Sequence, residues 1–422
     1  MKKKTNHWKV WNRKFDGAAR DLAQTVARTF VCVAAVTHFT WPVCSAGPLD
    51  HWTQRNARTP EDLYYVTYGA GQFVAVGNAG TIVTSADGME WTRRVSGSTA
   101  TLRGVTYGGG RFLAIGTGGA ILSSPDAVDW TARDSGTTND LYAATYGPNL
   151  FVAVGANGTI TTSGDGAVFN AEEGAIRSLL PLTGVVYGQG TFLGTQDNTQ
   201  IFGSNNGGVD WWVGDTLIQP IGEIEFSGVV YGNGRFVIVG ALFHPIDFLW
   251  TSIIVTSTNT FDWDRVDWNI RGDDSIDAIL GLRAVAFGRG TFLAVGPFLR
   301  FREPPVLSSG DGINWTFHHS ETSRSLYGVA YGQRTFVTVG ESGTILQSDR
   351  IGPRLEPVSK SSLGSFDFSL IVEAGESCRI EASGDLTNWT VLSNFVSTNG
   401  TILVSDSSAP TFNRRFYRAV SP

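Results

Sequence analysis

Short apolar runs set the rhythm of this chain. Phe73-Val74-Ala75-Val76 returns as Phe112-Leu113-Ala114-Ile115, Phe151-Val152-Ala153-Val154, Phe236-Val237-Ile238-Val239, Phe292-Leu293-Ala294-Val295 and Phe336-Val337-Thr338-Val339. Each is nearly continuous in hydrophobicity over the length of one strand, the pattern of a β-strand covered on both faces. A glycine closes each run: Gly77, Gly116, Gly155, Gly240, Gly296 and Gly340. Around each run the same neighbours recur. A mixed segment such as Leu102 to Tyr107 precedes it, a GTIVTS- or GTILQS-like segment comes after it, and a fourth segment opens at a tryptophan. Gly-rich turns separate the segments and permit positive φ without steric cost. The prediction is a repeating unit of four short antiparallel strands.

The period can be read from an aromatic-Gly-x-x-x-Phe signature at Tyr68, Tyr107, Tyr146, Tyr187, Tyr231, Phe287 and Tyr331. The first three copies are 39 residues apart, and the later gaps are 41, 44, 56 and 44. Copies of one four-stranded unit at this spacing predict a radial repeat, since one blade cannot bury both its faces and stacked blades can. The seventh copy, Leu326 to Ser348, lacks the tryptophan segment at its end. The missing piece stands far upstream as His51-Trp52-Thr53. Trp52 precedes Tyr68 by sixteen residues, as Trp91 precedes Tyr107 and Trp315 precedes Tyr331. The fold class expected is therefore all-β: a seven-bladed β-propeller over 47–352, closed by an N-terminal strand from residues 49 to 56. A linker over 353–365, marked by Pro353, Pro357 and a serine-rich run, leads to a small C-terminal β-sandwich over 366–422.

A second motif, Ser-x-Asp-Gly-x-x-Trp, lies between the third and fourth strands. It occurs as Ser85-Asp87-Gly88-Trp91 and Ser309-Asp311-Gly312-Trp315, with variants at Ser163-Asp165-Gly166-Phe169, Ser124-Asp126-Trp130 and Ser257-Asn259-Trp263. A short acceptor side chain can bond the amides two residues on and close a tight hairpin. Because the device returns in most copies, it reads as a structural clasp, since one active site has no need of so many. Ser383-Gly384-Asp385 and Trp389 echo it in the C-terminal segment.

The motif resembles the Asp-box, or bacterial neuraminidase repeat. The fuller string Val76-Gly77, Gly80-Thr81-Ile82, Ser85-x-Asp87-Gly88 is similar to propellers of the photosystem II assembly/stability factor family. The resemblance covers about residues 49 to 350 and implies the propeller fold, while the functions of such propellers range over glycosidases, receptors and assembly factors. The Arg-Ile-Pro by which sialidases are recognised is absent from the sequence. The string from Cys378 to Thr390, ending in Arg415-Phe416-Tyr417-Arg418-Ala419, resembles a small β-sandwich tail of secreted bacterial proteins.

Residues 1–46 differ in composition from the rest of the chain. They carry eight Lys/Arg against Asp16 and Asp21, then an apolar run from Phe30 to Val36, then Cys44-Ser45-Ala46. Small residues at minus three and minus one predict cleavage before Gly47, the grammar of a signal peptide. His38 and Pro42 interrupt a run shorter than the ~18 residues of a span, so no transmembrane segment is expected. The localisation expected is export to a periplasmic, cell-surface or extracellular site. Removing the leader takes eight basic and two acidic residues, moving the formal charge from −6 to −12. That balance disfavours nucleic acid as a partner. Cys378 is the one cysteine left, so neither a disulfide framework nor a multi-thiolate metal site is expected.

Blades four to six depart from the repeat. Leu242 to Ser252 and Pro297 to Pro305 read as insertions between second and third strands. Phe261-Asp262-Trp263-Asp264-Arg265-Val266-Asp267-Trp268 brings acidic and aromatic residues together. Asp262, Trp263, Asp264, Asp267 and Trp268 are the ligand-face candidates, with Asp262 and Asp264 expected on one face of a strand. Acidic pairs beside tryptophans suit a glycoside hydrolase, whose carboxyl groups would lie about 5–9.5 Å apart. A charged edge that discourages strand pairing is the alternative. His318 and His319 are adjacent, so a strand would point them oppositely and one metal would not take both. No motif for a nucleotide, a zinc hydrolase or a nucleophile elbow occurs. The expectation is a binding or scaffold propeller for a protein or glycan, with no cofactor, no metal and no assigned catalytic residue. The alternative is an Asp-box-type hydrolase using carboxylates on blades four to six.

Overall fold

The computed structural model of the chain describes residues 47–422, apart from 173–174, 177, 198–199, 215–223, 245–248, 267–280, 298–302, 358–365, 373–374, 399, 413 and 421–422. These residues fall into two compact units, one within 42–351 and one within 352–422.

The first unit contains seven four-stranded antiparallel sheets. Blade one comprises Leu63–Gly69, Gln72–Gly77, Ile82–Ser85 and Thr92–Arg94, and blade two Leu102–Gly108, Arg111–Gly116, Ile121–Ser124 and Thr131–Arg133. The inner strands of the remaining blades are Leu141–Gly147, Leu182–Gly188, Ile224–Gly232, Ala284–Gly288 and Leu326–Gly332. Each inner strand lies against the next, and Leu326–Gly332 lies against Leu63–Gly69, so the ring is closed. The outer strand of blade seven is Trp52–Asn56, antiparallel to Thr344–Ser348 with Trp52 opposite Ser348 and Asn56 opposite Thr344. Trp52 is 4% exposed, its indole N–H donates to Leu49 O at 2.8 Å, and Arg55 Nε donates to Gln347 Oε1 at 2.9 Å. The N-terminal closing strand predicted from the sixteen-residue spacing is present.

The aromatic-Gly signature has a packing reason. A Cβ placed on Gly69 would lie 2.2 Å from Cγ of Tyr107 in the next blade, and one on Gly108 would lie 2.0 Å from Cγ of Tyr146. Gly188 meets Tyr231, Gly232 meets Phe287, Gly288 meets Tyr331, and Gly332 meets Tyr68, which carries the fit across the closure. Each ring also tilts against the phenylalanine of its own blade, as in Tyr107–Phe112 with centroids 4.7 Å apart. Glycine, tyrosine and phenylalanine thus form one interlock per blade boundary. The second strands between them are almost wholly buried: Phe73, Val74, Ala75 and Val76 are all 0% exposed.

The Ser-x-Asp clasp forms as the sequence requires. Ser85 Oγ accepts the Gly88 amide at 2.8 Å, and Asp87 Oδ1 accepts those of Met89 and Glu90 at 2.8 and 3.2 Å. Trp91 then folds back, its indole N–H donating to Gly88 O at 2.9 Å while its ring packs in the interblade core. The outer strand begins one residue after this tryptophan, at Thr92.

The second unit contains two three-stranded antiparallel sheets, one of Arg354–Pro357, Phe366–Ile371 and Thr401–Asp406, the other of Ser377–Ser383, Thr390–Val396 and Phe416–Val420. They share a core of Phe368, Leu370, Ile380, Ala382, Tyr417 and Ala419, with Cys378 buried as a small hydrophobe. The stretch 353–365 is therefore not all linker, because Arg354–Pro357 pairs with Phe366–Ile371. Pro357, one of the prolines that suggest a linker, ends an edge strand, where a missing N–H breaks no ladder bond. Asp385 repeats the propeller clasp, accepting the Thr387 and Asn388 amides at 2.9 and 2.8 Å.

Candidate functional site

Antiparallel blades give the ring two unlike ends. First-to-second and third-to-fourth strand turns lie at one end, and second-to-third turns and blade-to-blade connections at the other. The first end carries the clasps. The second end includes the departure of blade five from the repeat. In blade five, Arg235–His244 and Leu249–Ser257 stay paired out to His244 opposite Leu249. The described residues of the stretch read as an insertion therefore lengthen the two paired strands, by about 13 Å beyond the place where Gly240 would have ended the second strand.

Of the candidates drawn from blade five, Asp262, Trp263 and Asp264 lie in or just after the clasp turn. Phe261 and Asp262 lie in the turn, not in a strand, and only Asp264 enters the outer strand, Asp264–Arg265. The expected shared face of Asp262 and Asp264 does not exist. The reason is that Asn259 takes the aspartate's place in the clasp: its Oδ1 accepts the Phe261 and Asp262 amides at 3.0 and 2.9 Å, and its Nδ2 donates to Asp262 Oδ2 at 2.8 Å. Trp263 packs partly buried against the core between blades four and five, its indole N–H bound to Thr260 O at 3.1 Å. Phe261 is 80% exposed. Asp267 and Trp268 lie outside the described residues.

The clasp carboxylates are likewise engaged. The amides of Asp129 and Val128 hold the Asp126 carboxyl below the usual range, and those of Val168 and Ala167 do so for Asp165. For Asp311 partial burial pulls upward, but the Asn314 amide and side chain, the Ile313 amide and Ser309 outweigh it and hold the group at about 2. A general acid requires the opposite shift. These aspartates close turns.

At the other end the structure assembles something the sequence did not announce. In six blades the inner strand slips register near its start, leaving one bulged residue, as between Leu63 and Tyr65, Leu102 and Gly104 or Phe226 and Gly228. A bulge re-aims the side chain it carries. The bulged residues of blades seven, one, two and three are Tyr327, Tyr64, Arg103 and Tyr142, and they touch in sequence. Tyr64 and Tyr327 stack with centroids 5.6 Å apart. The Arg103 guanidinium lies 5.9 Å from the Tyr64 ring centroid and 5.6 Å from that of Tyr142. Arg103 is exposed, the tyrosines are half-buried, and no carboxylate among the described residues pairs with the guanidinium. Burial, with Asp62 and Glu341 nearby, raises the Tyr327 phenol. One residue further along each inner strand stand Tyr65, Gly104, Ala143, Gly184, Gly228, Ala284 and Gly328. Tyr65 is the one large side chain at that level, set deep enough for its phenol to be raised by desolvation yet 37% exposed. The arc was missed because its members sit one to a blade, each looking like an ordinary strand residue. The signal in the sequence is the column itself: the residue four before the signature aromatic of each blade.

One further cluster has catalytic geometry. Ser308 Oγ lies 2.7 Å from His318 Nε2, and His318 Nδ1 lies 2.6 Å from Asp50 Oδ1. Such a chain of hydroxyl, imidazole and carboxylate is the layout of acyl-transfer enzymes. Comparison between blades gives it another meaning. Thr84 bonds Arg94 at 2.9 Å, Ser123 bonds Arg133 at 2.8 Å and Thr162 bonds Glu172 at 3.1 Å, each pair at the same two strand positions. Ser308–His318 is thus the blade-six form of a cross-strand pair, extended by Asp50 into a brace on the N-terminal segment. Among the described residues, no cluster of three or more His, Cys, Asp or Glu could hold a metal, and no helix is long and apolar enough to cross a membrane.

No known protein family profile matches the chain, and no curated protein matches its sequence. Solved structures do. YCF48 bound to D1 peptide aligns at 14% identity, covering 74% of this chain and 99% of that one, with a TM-score of 0.53. YCF48 from Cyanidioschyzon merolae aligns at 16% identity over 71% and 98%, TM-score 0.53. Virginiamycin B lyase from Staphylococcus aureus aligns at 14% identity over 71% and 99%, TM-score 0.57. At these identities the likeness is one of fold. The class defined by fold and comparisons together is the β-propeller.

Proposed function

We propose that this protein is an exported, non-enzymatic β-propeller that binds a protein partner on the end of the ring carrying Tyr327, Tyr64, Arg103 and Tyr142. The observation that carries the reading is the arc itself. Tyrosine and arginine are the side chains enriched where protein surfaces meet, because they offer large contact area at small entropic cost. Here they are aligned across four blades with the guanidinium held between two rings. That YCF48 has been seen with a bound D1 peptide supports peptide binding by a propeller of this shape. The Lys/Arg-rich leader, apolar run and small-residue cut site support export. The engagement of the clasp aspartates by backbone amides supports a structural role for the Asp-box-like motif, and with it a binding function over glycoside hydrolysis.

Selection of displayed random peptides on the purified protein tests the reading, with Tyr64→Ala/Arg103→Ala in parallel and a glycan array alongside. Peptides enriched by the natural chain and lost by at least tenfold in the variant are the expected result. Enrichment unchanged by the variant would move the interface off the arc. Glycan binding without peptide binding would replace the protein partner by a sugar, and carbohydrate turnover would overturn the non-enzymatic reading.

A further inference from the structure

The brace around His318 ends at the residue before which the leader is predicted to be cut. Asp50 is its hub. One carboxylate oxygen, Oδ1, meets His318 Nδ1 at 2.6 Å, and the other, Oδ2, accepts the backbone N–H of Gly47 at 2.6 Å. The Asp50 amide returns a bond to Gly47 O at 3.0 Å, and the Asp349 amide donates to Pro48 O at 3.1 Å. The Gly47 nitrogen is thus fixed against a carboxylate that is itself tied through His318 to Ser308 of blade six. Two residues after Asp50, Trp52 begins the strand that closes blade seven.

We infer that Asp50 is the receptor for the chain's own α-ammonium, so that proteolytic processing between Ala46 and Gly47 completes the brace that holds the closing strand. The inference rests on the export reading above. The chemistry is peptide hydrolysis by a signal-type endopeptidase supplied by the host. The Ala46 C–N bond breaks, water gives its hydroxyl to the Ala46 carbonyl carbon, and its proton goes to the Gly47 nitrogen. At neutral pH that amine takes a further proton. A neutral amide donor facing Asp50 becomes a cation facing it, and a hydrogen bond with a full charge at each end is shorter and stronger than one with a neutral donor. A leader left in place keeps the nitrogen an amide, and a cut one residue early puts the charge on the preceding residue instead. The other titratable groups facing this corner are His318, already on Asp50, and the exposed pair His51–Asp349 at 3.4 Å.

Four forms of the protein test this: the chain beginning at Gly47, the chain retaining Ala46, and each of the two with Asp50→Asn. At pH 7 the Gly47 chain is expected to melt about 1–3 °C above the Ala46 chain. The Gly47 amine, followed by NMR, is expected to titrate above the ordinary range of about 7.7–8.0. A raised pKa in the folded state gives stabilisation that is complete below the unfolded value and is lost as pH rises through the folded one. The melting difference should therefore vanish in strong base and be absent in Asp50→Asn. Equal midpoints at pH 7 with an unshifted amine would overturn the inference, and the NMR titration decides it even if Asp50→Asn does not fold. Intact-mass analysis of the full chain from an exporting bacterium separates the two readings. A cut elsewhere removes the processing site while export stands, whereas an uncut chain retained in the cell removes export itself.

Discussion

A glycine and an aspartate show how single residues set this fold. Gly108 is required by the tyrosine of the next blade, since its Cβ would stand 2.0 Å from Tyr146 Cγ inside a packed interlock. Gly108→Ala is expected to destabilise the propeller by about 1–3 kcal/mol through overpacking, seen as a lowered urea midpoint with unchanged slope. Ala substitution at Gly71, whose Cβ would meet nothing, is the control for a general loss of glycine, with only its φ of +76° to contend with. Asp311 acts through charge. Its folded pKa of about 2 lies below the ordinary carboxylate value, so the clasp contributes fully above about pH 5 and weakens as pH falls toward 2. Asp311→Asn should therefore lower the melting temperature at pH 7, and the gap should close by pH 2. A gap that stays constant from pH 7 to pH 2 would show that ionisation plays no part in the clasp.

At the scale of the element, legibility tracked repetition. Outside blade five, strands two and three could be placed to within about two residues because their apolar runs recur with a closing glycine, and the clasp because Ser-x-Asp-Gly-x-x-Trp recurs with it. Reading failed where one copy was taken alone. Phe261 to Trp268 was read by strand alternation, but the Asn259 clasp had already committed Phe261 and Asp262 to a turn. Pro353 and Pro357 read as linker signals, although an edge strand tolerates Pro357 equally well. The arc at the other end stayed hidden for a related reason. Tyr64, Arg103, Tyr142 and Tyr327 are far apart in the chain and differ in type, so no local motif contains them, and only the bulge common to their strands brings them into line. Adjacency to His319 argues against His318 as a metal ligand but says nothing of its partner, an aspartate at the opposite end of the unit's sequence.

Taken as a whole molecule, the propeller depends on one strand that is foreign to its own blade's sequence. Trp52 contributes most of that strand's burial, with its ring in the core of blades six and seven and its indole on Leu49. Trp52→Ala should cost about 3–5 kcal/mol, measured by urea unfolding. Protease sensitivity is expected to appear first around residues 47–56, because loss of that anchor frees the strand. The same arrangement has a consequence in time. A chain made from its amino end presents Trp52–Asn56 first, yet their partners Thr344–Ser348 come last, after every other blade. Until then two strand edges wait unpaired, each a template for the wrong neighbour. The step that joins them spans the most distant contact in the ring, so it is expected to come late and to set the pace of folding. The ring is sealed with its oldest segment.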